Sequence, residues 1–249
     1  MRLHRFYLPG AVSGATLPLP DDEAGHATRV LRVHEGTSIR VFDGHGHEFA
    51  ALVRAVGRSG VEVDVGEGVA APAAESTLSV TLVMAVLKGD HMDAVVRDAT
   101  MLGVTAVQPV VTERTEWPMA ALSGGRRRAR LERVAVASVK QCGRAVVPEV
   151  FEPIDLPGLL RQWATEPEAE RVVCVEPSAG VEAQPVRDVA VPVSRAATLV
   201  IGPEGGWSES ELHAMAPWCR FVRLGARTLR ADATPLVALT ALMTVWGEI

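Results

Sequence analysis

The segment Leu199-Val-Ile-Gly-Pro-Glu-Gly-Gly-Trp-Ser208 sets three glycines, a proline and a carboxylate between an apolar run and a helix-start pattern. Such a loop belongs at the carboxyl end of a strand, where open α/β sheets take ligands. Its glycines let a ligand approach the backbone closely and leave N–H groups free to donate. No Gly-Lys-Ser/Thr follows, as a P-loop requires, and the spacing is not that of a dinucleotide fingerprint. Glu204 inside the loop also disfavours a polyphosphate. The alternative is a tight strand-to-helix turn without a ligand. A second segment, Leu224-Gly-Ala-Arg-Thr-Leu-Arg-Ala-Asp-Ala-Thr-Pro235, holds Arg227, Arg230 and Asp232 ahead of an apolar helix. Charges there are costly to bury unpaired, so they face a cleft, pair with each other, or lie in a solvated loop. His45 and His47 form an H-x-H pair with no third ligand, which reads as a polar hairpin turn, and no metal is expected.

The elements that must position these residues follow from periodicity. Residues 1–70 read as short strands and turns: 40–44 and 48–53 pair across Gly44-His45-Gly46, and 61–65 alternates with period two. The small, aperiodic stretch 66–75 reads as a linker. Beyond it, buried strands expected at 78–86, 106–111, 171–176, 198–202 and 221–224 alternate with helices, the pattern of a parallel α/β sheet. Asp90 with Asp93 can cap a helix that Gly103 ends, Ser208 and Glu211 form a capping box, and Thr234-Pro235 opens an apolar terminal helix that should be buried on most sides.

With 249 residues the chain is long enough for two modest domains. Apolar residues at 48% and charged residues at 22% exclude global disorder. Three widely spaced cysteines without a CxxC suggest neither a disulfide framework nor a zinc site, and a reducing cytoplasm fits. No apolar run reaches the length of a membrane span. The net charge of −5 conceals a strong division: residues 112–144 hold 8 basic and 3 acidic groups, residues 145–215 hold 4 and 12. The run Arg126-Arg-Arg128 with Arg130 and Arg133 is the most basic, and reads first as a solvated helix face.

Seven phrases occur in order: Arg5-Phe-Tyr, His26-Ala-Thr-Arg-Val-Leu-Arg32, Val41-Phe-Asp-Gly44, Lys88-Gly-Asp-His-Met-Asp93, Gln141-Cys-Gly-Arg144, Ile201-Gly-Pro-Glu-Gly-Gly206 and Leu224-Gly-Ala-Arg-Thr-Leu-Arg230. Together they resemble the RsmE family, the small-subunit (16S) ribosomal RNA uridine-N3 methyltransferases of the SPOUT superfamily. The resemblance implies a PUA-like β-barrel for RNA binding over 1–71 and, over 72–249, an α/β methyltransferase domain with a C-terminal trefoil knot. It implies S-adenosylmethionine as methyl donor, held by Val175, Ile201, Gly202, Pro203, Gly205, Gly206, Leu224, Gly225, Leu229 and Arg230. Glu204 and Asp232 are its candidates for the base and Arg230 for stabilising the uridine anion. Arg5, Arg29, Arg32, Lys88, Arg114 and Arg144 are its candidates for RNA contact. Free 16S rRNA or an assembled small subunit is the implied partner, together with a second copy of the chain at the terminal helix. The chain departs from the family pattern at Asp98, Met101, Lys140 and Asp232. A sign-exchanged ion pair between Asp98 and Lys140 would reconcile two of these. Another RNA target, or a ribosome-assembly protein that has lost catalysis, stays open as an alternative.

Overall fold

The computed structural model describes residues 3–58, 60–122, 125–166 and 169–249. They divide into two compact units: 1–75 together with 136–147, and 76–135 together with 148–249. Residues 136–147, placed with the second domain by the single division near residue 72, thus pack with the first unit.

In the first unit β1 (Arg5–Tyr7), β2 (Thr16–Pro18), α1 (Asp21–Arg29), β3 (Ser38–Phe42), β4 (Glu48–Gly57) and β5 (Gly60–Val69) build a five-stranded sheet of order β1-β3-β4-β5-β2. Period-two alternation puts Ile39, Val41, Val53, Val61 and Val63 on one buried face with Phe6 and Leu19. The hairpin expected at 40–53 forms, with Arg40 opposite Ala50. Two corrections follow. Residues 66–69, read as linker, continue β5 and pair with β4 as far as Val69 opposite Glu48; backbone pairing needs no apolar side chain, so small residues concealed it. Helix α1 carries no apolar stripe that would mark it in the sequence, since only Glu23, Ala24 and Ala27 of it are buried.

The second unit contains β6 (Ser79–Ala85), α2 (His91–Met101), β7 (Ala106–Val111), α3 (Met119–Leu122), the first part of α4 (Arg126–Cys142), β8 (Glu149–Val150), β9 (Ile154–Asp155), α5 (Leu156–Trp163), β10 (Glu170–Cys174), β11 (Gln184–Pro185), β12 (Ala196–Ile201), α6 (Glu209–Met215), β13 (Arg220–Arg223) and α7 (Thr234–Val245). The strand order is β11-β13-β10-β12-β6-β7-β8, with β9 also on β7, and every pairing is parallel. Both faces are covered, as a parallel sheet requires: Val83, Ala85, Val173 and Val200 pack with Leu159 and Trp163 of α5 and Leu212 and Met215 of α6, while α2 and α7 pack on each other.

Helix ends follow local chemistry, with two exceptions. Gly103 stops α2 in the left-handed region at φ +95°. Ser208 and Glu211 make both bonds of the expected capping box. Asp90 does occupy the N-cap of α2, yet its side chain makes no cap bond there and goes to Arg130 instead, at 2.8 Å. The N-cap of α7 is Ala233, while the Thr234 hydroxyl turns back to the Arg230 carbonyl. Only one face of α7 is buried, by Ala238, Leu239, Leu242 and Met243, whereas Leu236, Val237 and Val245 are exposed. Burial on most sides was therefore too strong an expectation for the single chain.

Candidate active site

Strands β13, β10 and β12 are neighbours in the sheet, so their parallel carboxyl ends open side by side. The loops that follow them line one open cleft. Of the residues assigned to the donor, Val175, Ile201, Gly202, Pro203, Gly206, Leu224, Gly225 and Leu229 line it, with Glu204, Arg227 and Glu176. Gly205 and Arg230 do not.

The loop after β12 is shaped by close approaches. Gly206 donates its N–H to the Pro203 carbonyl at 2.9 Å and sits at φ +69°, where a Cβ would stand 2.8 Å from a Glu176 carboxylate oxygen. At Gly202 a Cβ would lie 2.9 Å from the Trp207 indole. That ring cannot move aside freely, since it is buried and its Nε1 donates to the Cys174 carbonyl at 3.1 Å. Gly202→Ala should therefore cost about 1–3 kcal/mol through overpacking. Urea denaturation measures it, and an unshifted midpoint would show that the indole yields. Trp207 and Glu176, which the sequence reading did not single out, shape the cleft; the position of Trp207 directly after the glycine pair was the available signal.

Two further loops, after β6 and β7, come to the same end of the sheet. The Lys88 backbone N–H donates to Glu204 Oε1 at 3.0 Å, and the Lys88 ammonium pairs with Glu116. Arg114 Nη1 donates to the Gly205 carbonyl at 2.8 Å. Glu211, 4% exposed, accepts from the N–H groups of both Glu113 and Ser208, so one buried carboxylate ties the 112–116 loop to the start of α6.

Arg230 and Asp232 form a two-pronged pair with both bonds at 3.0 Å, and His91 Nδ1 lies 3.2 Å from the same carboxylate. The Arg230 hydrogen bond holds the Asp232 carboxyl below the usual carboxylate range. Cys174, at the cleft, is buried and its thiol is pushed up to about 12, so it stays protonated and is no nucleophile.

The arginines expected to touch RNA separate into two sets. Arg29 and Arg32 are exposed, as are Lys88 and Arg114. Arg5 and Arg144 are corrections, being 7% and 4% exposed. Arg5 is clasped by Glu48 at 2.7 Å and donates to the Val139, Lys140 and Arg144 carbonyls. Arg144 is held by Glu75 at 2.7 Å. Buried, saturated guanidiniums offer nothing to a phosphate. The sign-exchanged pair is also corrected: Asp98 takes Arg97 as partner and Lys140 takes Glu23, each at 2.7 Å. His47 pairs with Asp43 at 2.8 Å.

A parallel α/β sheet with a cleft at the carboxyl ends of β13, β10 and β12 is the layout of an α/β ligand-binding domain, and the matching family models make it an α/β RNA methyltransferase carrying a PUA domain. The family model described as an RNA methyltransferase domain matches residues 74–243, and that of an RNA methyltransferase PUA domain matches residues 19–66. The chain belongs to the ribosomal RNA small subunit methyltransferase E family. It is 31% identical to that protein of Synechocystis over 93% of this chain and 74% of the relative, and 30% identical to that of Mycobacterium bovis over 92% and 86%. Among solved structures it is similar to ribosomal RNA small subunit methyltransferase E from Neisseria gonorrhoeae bound to S-adenosyl methionine, with TM-score 0.85, 32% identity and 98% of each chain covered. A putative methyltransferase from Legionella pneumophila in complex with the bound cofactor SAM gives TM-score 0.86 at 27% identity, again over 98% of each chain.

Proposed function

We propose that this protein methylates N3 of a uridine in 16S ribosomal RNA, with S-adenosylmethionine as the methyl donor. The observation that carries the reading is the cleft shared by the loops after β10, β12 and β13, with Glu204 at its edge. The residues present fit the donor. The cleft pairs apolar walls, Ile201, Leu224 and Leu229, with two carboxylates, Glu176 and Glu204, against one guanidinium, Arg227. That balance suits a ligand carrying an ammonium and a sulfonium, and opposes a polyphosphate. When bound, S-adenosylmethionine supplies an electrophilic methyl group.

Neutral uridine N3 has no free lone pair in the ring plane, so its proton must leave. Glu204 accepts it on Oε2, while Oε1 is kept in place by the Lys88 N–H. Arg227, at the cleft, and Arg230, oriented by Asp232, stabilise the negative charge that spreads onto O2 and O4. Because N3 lies on the pairing edge, the target base is unpaired or extruded before reaction.

The strand order supports a trefoil knot: from β12 the chain crosses β10 to reach β13, back past the loop that follows β10. In the first unit the register shifts of β4 at Phe49/Ala51 and Val53/Ala55 supply the bends by which a sheet closes into a PUA-like barrel, and Arg29 and Arg32 are its exposed cations for phosphate. The outward face of α7 supports a homodimer, since a helix apolar on all sides is buried on all sides. Val237→Asp is expected to turn the dimer into a monomer in sedimentation velocity; a wild-type chain that sediments as a monomer refutes the dimer. Among the described residues no helix is long and apolar enough to cross a membrane, and the cytoplasm is the compartment this reading implies.

The test is made in cells lacking the gene. N3 methylation blocks pairing, so reverse transcription of 16S rRNA stops at the modified uridine in wild-type cells. Loss of one stop is expected in the deletion strain, and an identical stop pattern refutes the assignment.

A further inference from the structure

The second unit holds another cavity, of about 320 Å³, which the cleft chemistry leaves unused. Its floor is apolar, from Met92, Leu122 and Leu131, and two half-buried aromatic side chains, Trp117 and Phe151, line it. The Arg127 guanidinium lies over the Trp117 ring, 4.3 Å from its centroid. Charges around the cavity are unevenly answered. Arg130 is held by Asp90 and Asp93, both at 2.8 Å, and Arg128 by Glu132 at 2.8 Å. Among the described residues Arg127 has no carboxylate partner, which leaves its positive charge beside Trp117.

Indole and unpaired guanidinium together make a surface for an unstacked nucleotide: the ring system takes a base face and the cation takes phosphate. An isolated apolar ligand would leave Arg127 unanswered, and an acidic peptide would leave the aromatic floor unfilled. The cavity is also tied to the reacting end of the sheet. Lys88, beside Gly89 of the cavity, gives its N–H to Glu204, and its ammonium goes to Glu116, the neighbour of Trp117. Extruding a uridine unstacks the nucleotides on either side of it, and a protein surface that receives one of them recovers the lost stacking.

We propose that this cavity binds a nucleotide next to the target uridine, its base against Trp117 and its phosphate at Arg127. The proposal rests on the rRNA-methylation reading and adds a second RNA site to it. It is tested with the full-length protein saturated with S-adenosylmethionine and a 16S rRNA transcript as the probe. Trp117→Ala is expected to weaken RNA binding about tenfold, as loss of one stacked base would, and Trp117→Phe by less than about threefold, because a phenyl ring still stacks. S-adenosylmethionine affinity, read by calorimetry, should stay unchanged in both. Wild-type RNA affinity in Trp117→Ala overturns the proposal, and so does an equal loss in Trp117→Phe. The readout is affinity, so a wild-type protein inactive in methyl transfer would count against the function and not against the cavity.

Discussion

Glu204→Gln is expected to slow methyl transfer by about two to four orders of magnitude, the range of a lost general base, while S-adenosylmethionine binds with near wild-type affinity. The amide keeps the shape of the side chain and an oxygen for the Lys88 N–H, now made at 3.0 Å, so the loop after β12 should hold its form. What the amide cannot do is take a proton. Asp232, the other candidate, stands differently. It lies outside the cleft lining and both its oxygens face Arg230, whose hydrogen bond lowers its proton affinity. A carboxylate with a depressed folded-state value adds stability that is complete above its ordinary titration range and is lost as pH falls through the lowered value. The Arg230 pair is therefore intact across neutral pH and supplies no activity change there. Single-turnover transfer with Glu204→Gln and Asp232→Asn separates the roles. Wild-type rates in the first and a lost rate in the second would reverse the assignment.

Glu48→Ala is expected to cost about 3–5 kcal/mol, the range for breaking one side of a buried ion pair. Both partners of the Arg5–Glu48 pair are nearly excluded from solvent, with side-chain exposures of 4% and 0%. Without the carboxylate, Arg5 keeps its three carbonyl acceptors but no countercharge, and Arg40 loses a bond at 3.3 Å. Arg5→Met with Glu48→Leu should recover most of the loss, because the penalty arises from an unanswered charge and not from missing volume. Denaturant unfolding of the three variants measures this. A loss under about 1 kcal/mol in Glu48→Ala would mean that solvent reaches Arg5.

What could be read in the sequence was local. The three-glycine loop and the Ser208–Glu211 capping box depend on neighbours within a few residues, and both stand as expected. Four of the five expected strands are buried and showed as apolar runs because a parallel sheet is covered on both faces, while β13 buries only Val222. Features settled by distant partners were hidden. Arg5 matches a family phrase, yet its role is fixed by Glu48 and by carbonyls more than 130 residues away. Nothing near Lys140 announces Glu23, and nothing near Asp90 announces Arg130. Helix α1 escaped for the opposite reason: its sequence is polar, with Gly25 at its centre, and propensity gave no sign of it. The cavity at Trp117 escaped because its walls come from segments that only the folded sheet brings together.

Residues 136–147 give the first unit a property that no strand diagram conveys. The acceptors of Arg5 at Val139, Lys140 and Arg144, and the Glu75 carboxylate that receives the Arg144 guanidinium and the Ala145 and Val146 N–H groups, unite only after the intervening 76–135 stretch has been made. During synthesis from the amino end, Arg5 can meet Glu48 early but lacks its three carbonyl acceptors until residues 139–144 have left the ribosome. Completion of the first unit bears the entropy of closing a long loop and is late by the same logic that makes distant pairings slow. A member of an rRNA methyltransferase family thus completes its amino-terminal unit only after the chain of its methyltransferase unit has begun to emerge.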